Sequence, residues 1–132
     1  MQNRGQTSLE IMMIVIILLG LLFATAYMMV QKSNDINRIS TIQRDTQKCD
    51  NIASKITRLS SNKGYSEAIV TGLEKDVRIE KGSVIVGDIY CSYKGDVWFE
   101  ETSAQYGFVL LNDQTYSVKK ISDKVEFELI DE

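Results

Sequence analysis

Residues Ile11 to Val30 read IMMIVIILLGLLFATAYMMV. The run carries no charge, and its only small or weakly polar interruptions are Gly20, Ala24, Thr25, Ala26 and Tyr27. At about 1.5 Å per residue it covers roughly 30 Å, the hydrocarbon thickness of a bilayer. Lipid offers no partner for a backbone N–H or C=O, so the segment is predicted as a helix that satisfies its own groups. The competing reading is a buried helix of a soluble domain. The rest of a 132-residue chain is too small to wrap a helix that is apolar on every side.

Toward the C-terminus the chain turns polar, with neither Gly nor Pro before Gly64. Apolar residues fall at Ile36, Ile39, Ile42, Cys49, Ile52, Ala53, Ile56 and Leu59, steps of three, four and seven that mark one face of an amphipathic helix. Nothing separates this stretch from the apolar run. One helix is therefore expected from about Thr7 to Ser60, about 80 Å long, with Ser60-Ser61-Asn62-Lys63-Gly64 as its stop. Beyond it lie short β-branched or aromatic segments: 68–70, 77–79, 84–93, 97–99, 106–111, 115–121 and 125–130. Turn residues separate them at Lys81-Gly82-Ser83, Lys94-Gly95-Asp96, Asn112-Asp113 and Ser122-Asp123. Such short spacings imply antiparallel hairpins. The fold class is α+β: a long N-terminal α-helix, apolar in its membrane half and amphipathic in the other, packed against a small antiparallel β-sheet head.

Cys49 falls on the helix stripe and Cys91 in a strand segment. A bond between them would pin helix to sheet and close a loop worth roughly 3–4 kcal/mol in the chain-entropy model. An oxidising compartment and an even cysteine count favour that bond. Two buried free thiols are the other reading, because Cys packs well as a small hydrophobe.

Toward the N-terminus the flank is MQNRGQTSLE, with Arg4 its only basic side chain and Glu10 directly against the apolar run. A carboxylate there is costly inside lipid, unless it stays among headgroups as a favourable charge at a helix N-terminus. Ile11 to Phe23 also has the length of a secretory h-region, and Ala24-Thr25-Ala26 matches an A-x-A cleavage site, which would release a soluble protein beginning at Tyr27. Against that stand the misplaced Glu10 and the continuation of the apolar run through Tyr27-Met28-Met29-Val30.

Arg4-Gly5 followed by Gln6-Thr7-Ser8-Leu9-Glu10 resembles the class III signal peptide of archaeal type IV pilin-like proteins, whose pattern is Gln-x-Ser-x-Glu-x-x-x-Leu before a long apolar run. Gln6, Ser8 and Glu10 match; Ile14 stands where the pattern has Leu. The resemblance covers about the first quarter of the chain. It implies cleavage between Gly5 and Gln6 by a prepilin peptidase, retention of the helix, and roles for Ser8 and Glu10 in processing and assembly. It also implies a head outside the cell. The basic residues near the run lean the other way: Arg4 and the α-amine on one flank, Lys32, Arg38 and Arg44 on the other. The divisions expected are a leader over 1–5, a transmembrane or filament-core helix over 6–30, an amphipathic stem over 31–63 and a β-rich head over 64–132.

Composition narrows the chemistry. The net charge is -3 and there is no histidine, which removes the commonest general base and metal ligand. Two cysteines without histidine fall short of a zinc site, so no metal and no cofactor are expected. No phosphate loop or paired-His motif occurs, and Glu100-Glu101 and Asp131-Glu132 read as solvated charges, so no enzyme is expected. A net charge of -3 and a pI of about 5.0 do not suggest the clustered Lys and Arg that a phosphate-binding surface needs, so no nucleic-acid partner is expected. Charge is uneven, however. Residues 32–63 carry Lys32, Arg38, Arg44, Lys48, Lys55, Arg58 and Lys63 against Asp35, Asp45 and Asp50, and from Gly64 onward acids outnumber bases two to one. A basic stem and an acidic head attract each other; a solvated mixed surface is the plainer reading. No Asn-x-Ser/Thr sequon is present, although many archaeal surface filaments carry such glycans.

The expected function is structural: a subunit of an archaeal type IV pilus-like filament, serving adhesion. Its partners would be identical or related pilin subunits, the prepilin peptidase, and the membrane before assembly. The alternative is a monomeric, membrane-tethered extracellular binding module.

Overall fold

With no proline and no strong breaker before Ser61, the helix α1 runs Asn3–Ser61. It begins four residues earlier than the expected start at Thr7, because a single Gly5 costs only about 1 kcal/mol relative to Ala in a helix interior. The computed structural model describes residues 3–130, without the side chains of Asn3 and Arg4. Met1 and Gln2 of the expected leader, and the Asp131-Glu132 pair, lie outside the described residues. The chain divides into two units, 1–40 and 41–132.

The first unit is the N-terminal part of α1, in which each residue from Gly5 to Ile39 is exposed. The second holds the rest of α1 and, among the described residues, nine strands. These are β1 (Glu67–Val70), β2 (Val77–Glu80), β3 (Ser83–Val86), β4 (Ile89–Ser92), β5 (Asp96–Phe99), β6 (Thr102–Ser103), β7 (Phe108–Leu110), β8 (Tyr116–Ile121) and β9 (Lys124–Leu129). They form two sheets, ordered β1-β8-β9-β5-β6 and β4-β3-β2-β7.

The α+β class and the long apolar N-terminal helix are as expected, with two corrections to the sheet. There are two sheets rather than one, and β5 pairs with β9 in parallel, Asp96 opposite Lys124 through Phe99 opposite Phe127. The antiparallel expectation holds for strands that are close in sequence. β5 and β9 are separated by β6, β7 and β8, ample chain for the crossover that a parallel pair needs. The segment 84–93 is also two strands, not one. Gly87-Asp88 forms a two-residue hairpin loop between Val86 and Ile89, with Gly87 at φ 58°.

Cys49, Ile52, Ala53, Ile56 and Leu59 of α1 are buried in one core with Val77 and Ile79 of β2, Val84 of β3, and Val118 and Phe127 of the other sheet. Aromatic rings join the two sheets: Phe108 of β7 lies 5.5 Å from Phe99 and 5.9 Å from Phe127, centroid to centroid. The amphipathic stripe is thus only partly covered. Within 41–132 full burial begins at Cys49, while Ile42 is 45% exposed. At its C-terminus α1 is closed from a distance, as Lys120 Nζ of β8 donates to the carbonyls of Ser60 and Asn62. Ser60 belongs to the last turn, whose carbonyls have no partner within the helix, and Asn62 follows its end.

Candidate functional site

The N-terminal unit combines two features: a membrane-length apolar surface and a short polar flank. Mean hydropathy reaches 2.6 in an 18-residue window, and none of that window is buried. By length and composition this helix can cross a membrane. Exposure is not confined to one face, since the consecutive residues Ile16, Ile17, Leu18 and Leu19, about 100° apart around the axis, are between 50 and 64% exposed. A surface of this kind is stable in lipid or among other apolar helices, and costly in water.

Gly5, Gln6, Ser8 and Glu10 all lie on α1. The Gly5–Gln6 peptide bond is inside the helix, so a peptidase that cuts extended chain must first unwind this turn. Gly5 lowers the cost of doing so. Gln6 and Glu10 are four residues apart and share a helix face, while Ser8 sits on the opposite side. Gln6, Ser8 and Glu10 are exposed.

In the second unit Cys49 and Cys91 form a disulfide with a Cα–Cα distance of 5.8 Å, joining α1 to β4. Because β4 is an edge strand of its sheet, the bond anchors a strand that pairs with one neighbour, β3. Three titratable groups, Glu67, Tyr93 and Lys119, are engaged in structural contacts. Glu67 accepts hydrogen bonds from Ser117 Oγ (2.7 Å) and Tyr65 Oη (3.2 Å), which hold its carboxyl below the ordinary glutamate range. Burial pushes the Tyr93 phenol up while its hydroxyl donates to the Glu80 carbonyl. Lys119 is raised by its 2.7 Å contact with Glu128. A groove of about 190 Å³ lies beside Arg44, Asp45 and Lys75 over an apolar floor of Leu73, Val77 and Val86. Its charges largely pair with one another: Lys75 with Asp45 at 2.8 Å and Arg44 with Glu74 at 3.9 Å. Among the described residues no three His, Cys, Asp or Glu side chains come together as metal ligands.

Three basic residues that read in the sequence as part of a mixed surface have specific acceptors: Lys48 on Thr71 O, Lys55 on Ile69 O and Lys120 on the end of α1. Local sequence holds no signal for them, because each acceptor is 14 to 60 positions away. No protein-family model matches this chain, and neither a curated protein nor a solved structure matches it.

Proposed function

We propose that this chain is a structural subunit of an archaeal type IV pilus-like surface filament, stored in the membrane through α1 and serving adhesion once assembled. The observation that carries this reading is the pairing of a wholly exposed, membrane-length apolar helix with the Gln6-x-Ser8-x-Glu10 pattern at its start. A helix apolar all round has two solvents, the lipid bilayer and a bundle of like helices. A filament core offers the second after the membrane has offered the first. Cleavage before Gln6 leaves the apolar run intact and creates a new α-amine four residues from Glu10. In a filament core an unpaired Glu10 carboxylate costs several kcal/mol, and the Gln6 α-amine of a neighbouring subunit supplies the opposite charge. Cyclisation of an N-terminal glutamine removes that charge, leaving hydrogen bonds or protonation to accommodate Glu10. In this reading the 41–132 unit is displayed outside the cell, where a disulfide is chemically at home.

The test is the mature N-terminus of protein recovered from sheared surface filaments, read by mass spectrometry. A chain beginning at Gln6, free or cyclised, supports the proposal. A chain beginning at Tyr27 establishes a secreted soluble protein instead. An uncut chain found in the membrane fraction and absent from filaments establishes the tethered binding module.

A further inference from the structure

The outer edge of β1 is occupied in an unusual way. β1 is the terminal strand of its sheet, paired only with β8 among the described residues. Its register sets Glu67 opposite Lys119 and Ile69 opposite Ser117, and the Lys120 amide donates to Ser66 O at 2.9 Å. In an antiparallel ladder the residues whose backbone groups face the partner alternate. Ser66, Ala68 and Val70 therefore face β8, and Glu67, Ile69 and Thr71 present their N–H and C=O groups to the open side. Two of these three outward carbonyls are taken: Lys55 Nζ donates to Ile69 O at 2.7 Å and Lys48 Nζ to Thr71 O at 3.4 Å. The two lysines are seven positions apart on α1, two turns along one face.

An open edge is a template for another strand, and this edge is complementary to itself. Antiparallel pairing of two β1 strands about Ile69 sets Ile69 against Ile69 and Glu67 against Thr71. Every hydrogen-bonding residue then comes from the outward set. No like charges face each other, and the Ile69 side chain, 53% exposed in the single chain, gains an apolar neighbour.

We infer that the β1 edge is a latent pairing surface for a second copy of this chain, held closed by Lys48 and Lys55. The lysines occupy the acceptors that the second strand would use, and each places an ammonium group where that strand would lie. This inference concerns 41–132 and stands whether or not the chain builds a filament.

The experiment uses the full chain in detergent with Lys48→Met and Lys55→Met combined, which keeps the apolar stems and removes the donors. The protein mass in the detergent complex is expected to double relative to wild type. Amide exchange is expected to slow at Ile69 while staying unchanged at Ala68 and Val70. Ile69→Pro in the same background removes the outward N–H and is expected to return the mass to that of wild type. Lys48→Arg with Lys55→Arg retains donors and is expected to behave as wild type. A folded Met variant with wild-type mass and wild-type exchange at Ile69 overturns the inference. So does an unfolded Met variant, which would make these hydrogen bonds supports of the fold rather than a guard on its edge.

Discussion

Glu67 shows how an exposed carboxylate serves a buried group. Ser117 is 3% exposed, and its hydroxyl donates to Glu67 Oε1 at 2.7 Å. A buried hydroxyl left without a partner is destabilising, so the charge state of Glu67 matters to the pairing of β1 with β8. Its carboxyl is held below the ordinary glutamate range, first by the Ser117 hydrogen bond and then by that of Tyr65. A depressed folded-state value means that the carboxylate stabilises the fold above the ordinary glutamate range. That contribution is lost as pH falls below this range and through the lowered value. Urea unfolding followed from neutral to strongly acidic pH should show a smaller acid loss in Glu67→Gln than in wild type, with the two curves drawing together at low pH. Parallel curves at all pH values would remove Glu67 from the account. Residue-scale effects of this kind were not legible in the sequence. Nothing in Glu67-Ala68-Ile69-Val70 announces a serine 50 positions away, just as nothing near Lys120 announces the end of α1.

At the scale of elements, period and punctuation carried the reading where partners are local, and failed where they are not. The steps of the α1 stripe and the missing Gly and Pro make one long helix legible. Lys81-Gly82 and Ser122-Asp123 make their hairpins legible, and Glu80 opposite Ser83 and Ile121 opposite Lys124 are the registers they produce. Gly87-Asp88 is a hairpin signal of the same kind, hidden inside a run of β-branched residues. The parallel pairing of β5 with β9 has no local signature, because it is decided by which strand edges remain after the hairpins have formed. With two cysteines in the chain, Cys49–Cys91 is the one intrachain pair the sequence allows, and what it left open was bond or free thiols. Their bond is the one covalent link between α1 and a strand, and it spans 42 positions. Replacing both with Ala should cost about 2–4 kcal/mol of unfolding free energy, measured by urea denaturation of the oxidised wild type and the variant side by side. Because β4 is held on one side by β3 alone, its amides should be the first to lose exchange protection in the variant. A variant as stable as the oxidised wild type would show that the core around Ile56 and Val84 holds α1 on the sheets without the bond.

For the molecule as a whole, the division of labour follows from which surfaces are satisfied. Residues 41–132 bury a core of their own, with Ile56, Ile79, Val84, Leu110 and Val118 fully enclosed. Residues 5–30 bury nothing within the chain and depend on surroundings that other molecules supply. The apolar run was legible in the sequence for that reason: a membrane-length uncharged stretch needs no tertiary context to be read. Glu10 stands at its boundary, one residue before Ile11, and separates the steps of the proposed life cycle. Insertion depends on the summed transfer of apolar side chains, which loss of a charge can only favour. Folding of 41–132 depends on the core around Ile52, Ile56 and Leu59, far along the chain from Glu10. Assembly alone would bury Glu10 among neighbouring subunits and use its charge to set their register. Glu10→Gln keeps the side-chain shape but weakens a charge-assisted contact by roughly half. With the peptidase intact, the variant should reach the membrane at wild-type levels, form the Cys49–Cys91 bond, and be depleted from sheared filaments. Membrane and filament fractions compared by immunoblot read all but the disulfide, which thiol labelling reads. Wild-type incorporation into filaments would reduce Glu10 to a headgroup charge at a helix end.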